Sequence, residues 1–155
     1  MLFSVKMWKN FLCLPLFFQV FGLACIFMFV VCIYSFISDF YKEGRIFLYT
    51  GLTGSLVFSL VILATSNRDL KETGFSQLLS LILSFLLLPL FLAIPNWIIL
   101  PETNMIDSYL DMVSAFTTTG LTIFENDFLT KSIHLWRAIV AWFGGCLVWI
   151  AAFVI

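Results

Sequence analysis

The sequence predicts an all-α integral membrane protein, in which two N-terminal transmembrane helices precede one unit of helix, re-entrant loop and helix. Three observations predict it. The 155 residues are 62% hydrophobic and only 11% charged. Three stretches, Phe11–Ser38, Ile46–Asn67 and Thr73–Pro101, contain no Asp, Glu, Lys or Arg, and a fourth runs from Ala138 to Ile155. Between the third and the fourth lies a short polar segment, Ser114 to Thr122, unlike the rest of the chain. About 20 apolar residues carry a helix across the ~30 Å hydrocarbon core. Lipid offers the backbone no hydrogen-bond partner, so charge-free stretches of that length are helices.

Helix one is expected over Leu12–Ile37, with Pro15 near its start, where a missing N–H costs least. Lys6 and Lys9 ahead of an apolar run resemble a signal peptide, and Leu23-Ala24-Cys25 resembles a lipoprotein cleavage site. The run is far longer than the ~7–15 residues of a signal core, so the helix is expected to be retained. A charged loop with Asp39, Lys42, Glu43 and Arg45 leads to helix two, Ile46–Thr65, and Ser66–Glu72 forms a polar turn. Helix three begins near Gly74. Pro89 is expected to kink it, and Pro95 with Asn96 to end it. Residues 1–67 thus form a pair of helices and residues 68–155 the helix–loop–helix unit.

A loop from Pro95 to Met105, carrying Trp97 and Glu102, comes next. Ile106, Leu110, Val113 and Phe116 then recur at helical spacing, with Asp107 as cap or first-turn acid. A helix of about 10 residues is only ~15 Å long and cannot cross a bilayer. After the polar segment the chain passes Glu125, Asp127 and Lys131 into a last helix with His134, Trp136 and Arg137 in its first turns. An arginine at the bilayer centre costs about 2.5–3.5 kcal/mol on insertion scales. Arg137 is therefore expected to snorkel near the interface, with Trp136 as an aromatic anchor. Gly144-Gly145 inside that helix allow a neighbouring backbone to come close.

The polar segment reads Ser114-Ala115-Phe116-Thr117-Thr118-Thr119-Gly120-Leu121-Thr122. Threonine is stiff at χ1 and its hydroxyl competes for backbone hydrogen bonds, so three in a row suit a helix badly. Glycine tolerates positive φ. Such a segment suits an extended strand whose carbonyls turn one way, the device with which cation filters replace an ion's hydration shell. A short helix followed by Thr-Thr-Thr-Gly is predicted to be a pore helix with its filter, the negative end of the helix dipole facing the cation. Thr118-Thr119-Gly120 also resembles the Thr-Val-Gly of the potassium-channel filter. The candidate ion-binding residues are Thr117, Thr118, Thr119, Gly120 and Leu121, through their carbonyls.

Other functions find no support. A net charge of −1 without a basic run points to no nucleic acid. Cys13, Cys25, Cys32 and Cys146 lie in apolar spans at spacings of no metal or redox motif. His134 has no second ligand at metal spacing. With no nucleophile–base pair and no phosphate loop, neither enzyme activity nor a cofactor is expected. The 19 phenylalanines are packing and lipid-facing bulk. With the N-terminus cytoplasmic, Lys and Arg divide evenly between the two sides, so the positive-inside rule does not decide the orientation. The acids do: Asp39, Glu43, Glu102, Asp107, Asp111, Glu125 and Asp127 fall outside, against Asp69 and Glu72 inside. An acidic entrance concentrates cations, which favours this orientation.

The loop Ser-Ala-Phe-Thr-Thr-Thr-Gly-Leu-Thr between two helices resembles the Trk/Ktr/HKT superfamily of potassium transporters, most of all the first part of a TrkH-type membrane subunit. His134-Leu135-Trp136-Arg137-Ala138 with Ala141-Trp142-Phe143-Gly144-Gly145 resembles that family's helix after its first filter, and Arg68 through Phe75 its entry into the first pore unit. The resemblance covers about residues 60–155. It implies a potassium-channel-like fold of four non-identical helix–pore–helix units around one pore, with Gly120 as the key glycine of one filter strand. It also implies a bacterial inner-membrane protein that takes up potassium, dimerises, and is gated by a cytosolic nucleotide-binding ring subunit. One filter loop and a chain that stops at an apolar Ile155 lead us to expect a truncated or split version, whose remaining pore units lie on another chain or a missing part. The competing expectation is a non-conducting membrane fragment or interaction protein derived from such a transporter.

Overall fold

A computed structural model describes residues 16–65, 74–100, 103–124 and 129–154. They form six helices: α1 (Leu16–Ile37), α2 (Tyr41–Thr65), α3 (Gly74–Leu92), α4 (Ile94–Ile99), α5 (Met105–Phe116) and α6 (Lys131–Val154). Four segments are long and apolar enough to cross a membrane: Phe17–Ile37, Tyr41–Ala64, Leu78–Ile99 and Lys131–Trp149. The chain is an all-α membrane protein. The expected start at Leu12, the place of Pro15, the turn Ser66–Glu72, and Glu102, Glu125 and Asp127 lie outside the described residues.

Two boundaries differ from expectation, each for a local reason. Charge density suggested a loop through Arg45, but α2 already begins at Tyr41, so Lys42, Glu43 and Arg45 sit in its first turns. The connection needs only Ser38, Asp39 and Phe40. Phe40 N–H donates to the Ser35 carbonyl (2.9 Å) and Asp39 N–H to Phe36 (3.4 Å), while Asp39 takes φ 64°. This is a Schellman closure with aspartate in the left-handed position usually held by glycine. The second difference is α4. Pro95 was expected to open a loop, yet it lies in the first turn of a new helix, where its missing N–H is one of the unsatisfied donors anyway. Pro89 is accommodated inside α3.

α1 and α2 pair along their length. α1 also packs on α3 and α6, α5 lies between α3 and α6, and α4 rests on α2. Met28, Val31, Phe47, Leu88, Met112, Phe116 and Trp136 fill the centre. Trp136 is therefore not the interfacial anchor expected of it. Its ring is 1% exposed and meets Phe47 edge-on at 5.7 Å. Its Nε1–H donates to the Leu92 carbonyl at 3.1 Å. Leu92 ends α3, so this carbonyl has lost its helical partner, and the buried indole supplies one. Outward, α2 presents Tyr49, Leu52, Leu56, Leu60 and Leu63, a large exposed apolar face suited to lipid.

Ser35 Oγ donates to Ser132 Oγ at 2.9 Å, and Leu100 just after α4 clusters with Leu129 and Ile133, which puts the α1–α2 turn, the segment leading into α5 and the start of α6 at one end of the bundle. Single cysteines at Ser38 and Asn104, in a background without the native thiols, are therefore expected to react with a membrane-impermeant maleimide from the same side of the membrane. Labelling of the two from opposite sides would contradict the topology.

Candidate functional site

The site is built on α5. Its buried face is Ser108, Asp111, Met112, Ala115 and Phe116, whereas Ile106 and Leu110 are exposed. The apolar spacing that announces the helix thus marks mostly its outer side. Lipid accepts apolar side chains, so the inner face of a membrane protein is where polar groups find partners. Asp107 is the first-turn acid, and Asn104 precedes the helix without a side-chain cap bond.

Two polar contacts hold α5 in place. Tyr109 donates its hydroxyl to the Leu86 carbonyl of α3 at 3.1 Å. Arg137 Nε lies 3.0 Å from Asp111 Oδ2, with side chains 12% and 0% exposed. Arg137 therefore does not snorkel outward as expected. It turns into the protein, because Asp111 would otherwise be a buried charge without a counter-ion. Burial pushes the Asp111 carboxyl up, and the Arg137 guanidinium pulls against that shift.

The last turn of α5 meets Thr117–Leu121. Thr117 N–H donates to Val113 (2.8 Å), Thr118 N–H to Ala115 (3.0 Å), and Thr119 and Gly120 N–H both to Ser114 (3.0 and 3.4 Å). Four consecutive N–H groups are thus committed to the terminal carbonyls of the helix. Among the described residues no hydrogen bond ends on the carbonyls of Thr117, Thr118, Thr119 or Gly120. The Leu121 carbonyl, in contrast, accepts from Ser114 Oγ at 2.9 Å. The Thr117 and Thr119 hydroxyls lie 2.8 Å apart, and residues 117–123 are exposed.

The segment is not the plain extended strand expected. It opens with a turn, and φ is positive at Thr118 (57°) and Gly120 (77°) but not at Thr119. In a plain strand successive peptide groups face opposite sides. Reversing the sign of φ at alternate residues swings their carbonyls toward one side. Glycine takes this conformation freely, whereas a β-branched threonine is strained in it, and such strain concentrates at functional sites. The structure brings all five candidate residues together at the end of α5. Sequence reasoning missed Ser114 as the donor to Leu121 and the Arg137–Asp111 pair. The available signal for the pair was one acid in a short helix and one base in an apolar helix, each without a local partner.

The fold and site describe a multi-pass helical membrane protein with a short, half-buried helix feeding a carbonyl-bearing loop. The chain is similar to an uncharacterized cation transporter of Methanocaldococcus jannaschii, with 32% identity over 123 residues; the match takes in 77% of this chain and 25% of that protein. The chain therefore spans about a quarter of the length of that relative. No family model and no solved structure matches the chain.

Asp111→Ala is expected to destabilise the protein by about 3–5 kcal/mol, because it strands Arg137. Asp111→Leu with Arg137→Met should recover most of the loss, as read from melting in detergent; no recovery would contradict the pairing. Gly120→Ala meets no neighbour within 4 Å, so its expected cost is the ~1–2 kcal/mol of a left-handed alanine alone. A null effect on melting would contradict that conformation.

Proposed function

We propose that the chain supplies one filter strand to the pore of a cation transporter, with potassium as the ion and residues 117–120 as its ligands. One observation carries this reading: four consecutive carbonyls lack a donor among the described residues while their own N–H groups are engaged. A dehydrated cation is the complement of such a row. The similarity to a protein named a cation transporter supports the same reading. So does the resemblance of the Thr-Thr-Thr-Gly loop and the Trp-Arg and Gly-Gly helix to the Trk/Ktr/HKT superfamily. In this reading Gly120 faces the outer side of the cytoplasmic membrane, the side to which most of the acids in the sequence are assigned, and an acidic entrance concentrates cations.

A ring of carbonyls needs ligands from every side, and the described residues hold one such loop. Three further units complete the pore, and a dimer gated by a cytosolic nucleotide-binding ring is the assembly the resemblance suggests. The assay is growth of a potassium-uptake-deficient bacterium on low potassium. The 155 residues alone are expected not to rescue it, and the same residues with three companion units are expected to do so. In the rescued strain Gly120→Ser should lower the preference for potassium over sodium. Rescue by the chain alone would replace the four-unit reading with a homotetrameric pore. Unchanged ion preference in Gly120→Ser would count against the filter.

A further inference from the structure

We propose that Gly144 is a positioning residue that sets how deeply α5, and with it the filter segment, sits against α6. The inference rests on the filter reading above. Phe116 is the last residue of α5, and its carbonyl belongs to the peptide group that leads into Thr117. A Cβ at Gly144 would overlap the oxygen and carbon of that carbonyl and press on Phe116 Cα. The neighbour is main chain at the buried C-terminal end of a helix, so it cannot swing aside as a side chain would.

Gly145 is the built-in control. A Cβ there meets nothing closer than Thr118 Cγ2 at 3.8 Å, an ordinary contact. Two adjacent glycines of one helix thus carry the same helix propensity and opposite spatial consequences. Gly144 also lies seven residues beyond Arg137, about two turns along α6 and on the same face. α5 is therefore seated on α6 at two points: Asp111 on Arg137, and the Phe116 carbonyl on the bare backbone of Gly144. The other terminal carbonyls of α5, those of Val113, Ser114 and Ala115, hold the filter N–H groups. A shift of the Phe116 peptide is passed directly to Thr117–Gly120.

The test compares Gly144→Ala with Gly145→Ala in the full chain in lipid nanodiscs, in a background without the native thiols and with spin labels at Leu121→Cys and Ala138→Cys. Both labelled positions are exposed. Gly144→Ala should lengthen the distance between the labels, and Gly145→Ala should leave it at the parent value. Equal distances in the two variants would overturn the proposal. Should Gly144→Ala fail to insert, it is combined with Asp111→Leu and Arg137→Met, which removes the other seat without stranding a charge and lets α5 lift. The combined variant should then insert with the lengthened distance, and a combined variant that stays unfolded or unshifted would overturn it. A moved segment whose ion preference is unaffected by Gly120→Ser would instead refute the filter and leave the seating intact.

Discussion

The hydrogen-bond bookkeeping at the end of α5 governs the site. A helix leaves its last four carbonyls without intrahelical donors, and lipid supplies none. Here the N–H groups of Thr117 to Gly120 fill the places of Val113, Ser114 and Ala115, and the Phe116 carbonyl is pressed onto α6 at Gly144. Closing three of the four carbonyls in this way commits the N–H edge of the following segment and leaves its carbonyl edge open. The same geometry that closes the helix therefore exposes a row of acceptors. Positive φ at Thr118 and Gly120 then decides where the row points.

The rest of the fold holds that helix end still. α5 is too short to span, so it needs attachment through side chains. Tyr109 ties it to α3, and Asp111 with Arg137 ties it to α6. Trp136, the neighbour of Arg137, bonds to the end of α3 and packs on Phe47 of α2. One turn of α6 thus touches three other helices. Desolvating Asp111 and Arg137 costs more than an apolar pair would, and a buried ion pair is weak evidence for stability. What it offers here is a fixed register between α5 and α6.

The spans were legible because charge-free runs of membrane length admit little besides helices, and the short helix was legible because length alone bars it from crossing. The loop residues were legible because threonine and glycine suit no buried helix. Three things were not. Trp136 and Arg137 sit near a helix start and read as interfacial: nothing in the sequence reveals that Leu92 lacks a donor, and the one signal for Arg137 was that Asp111 has no counter-ion on its own short helix. The outward face of Ile106 and Leu110 inverts the soluble-protein pattern. The helical start at Tyr41 was hidden by charges that also suit a loop, and the aspartate at the left-handed turn position gave no glycine to mark it.

The central claim is that the carbonyls of residues 117–120 coordinate the transported cation. It is tested most directly by carbonyl 13C chemical shifts in the lipid-reconstituted chain assembled with its companion units, as potassium is exchanged for N-methylglucamine. The signals of Thr117, Thr118, Thr119 and Gly120 are expected to move with potassium, while that of Leu121, bonded to Ser114, stays in place. Carbonyl shifts at residues 117–120 that are indifferent to potassium would contradict it.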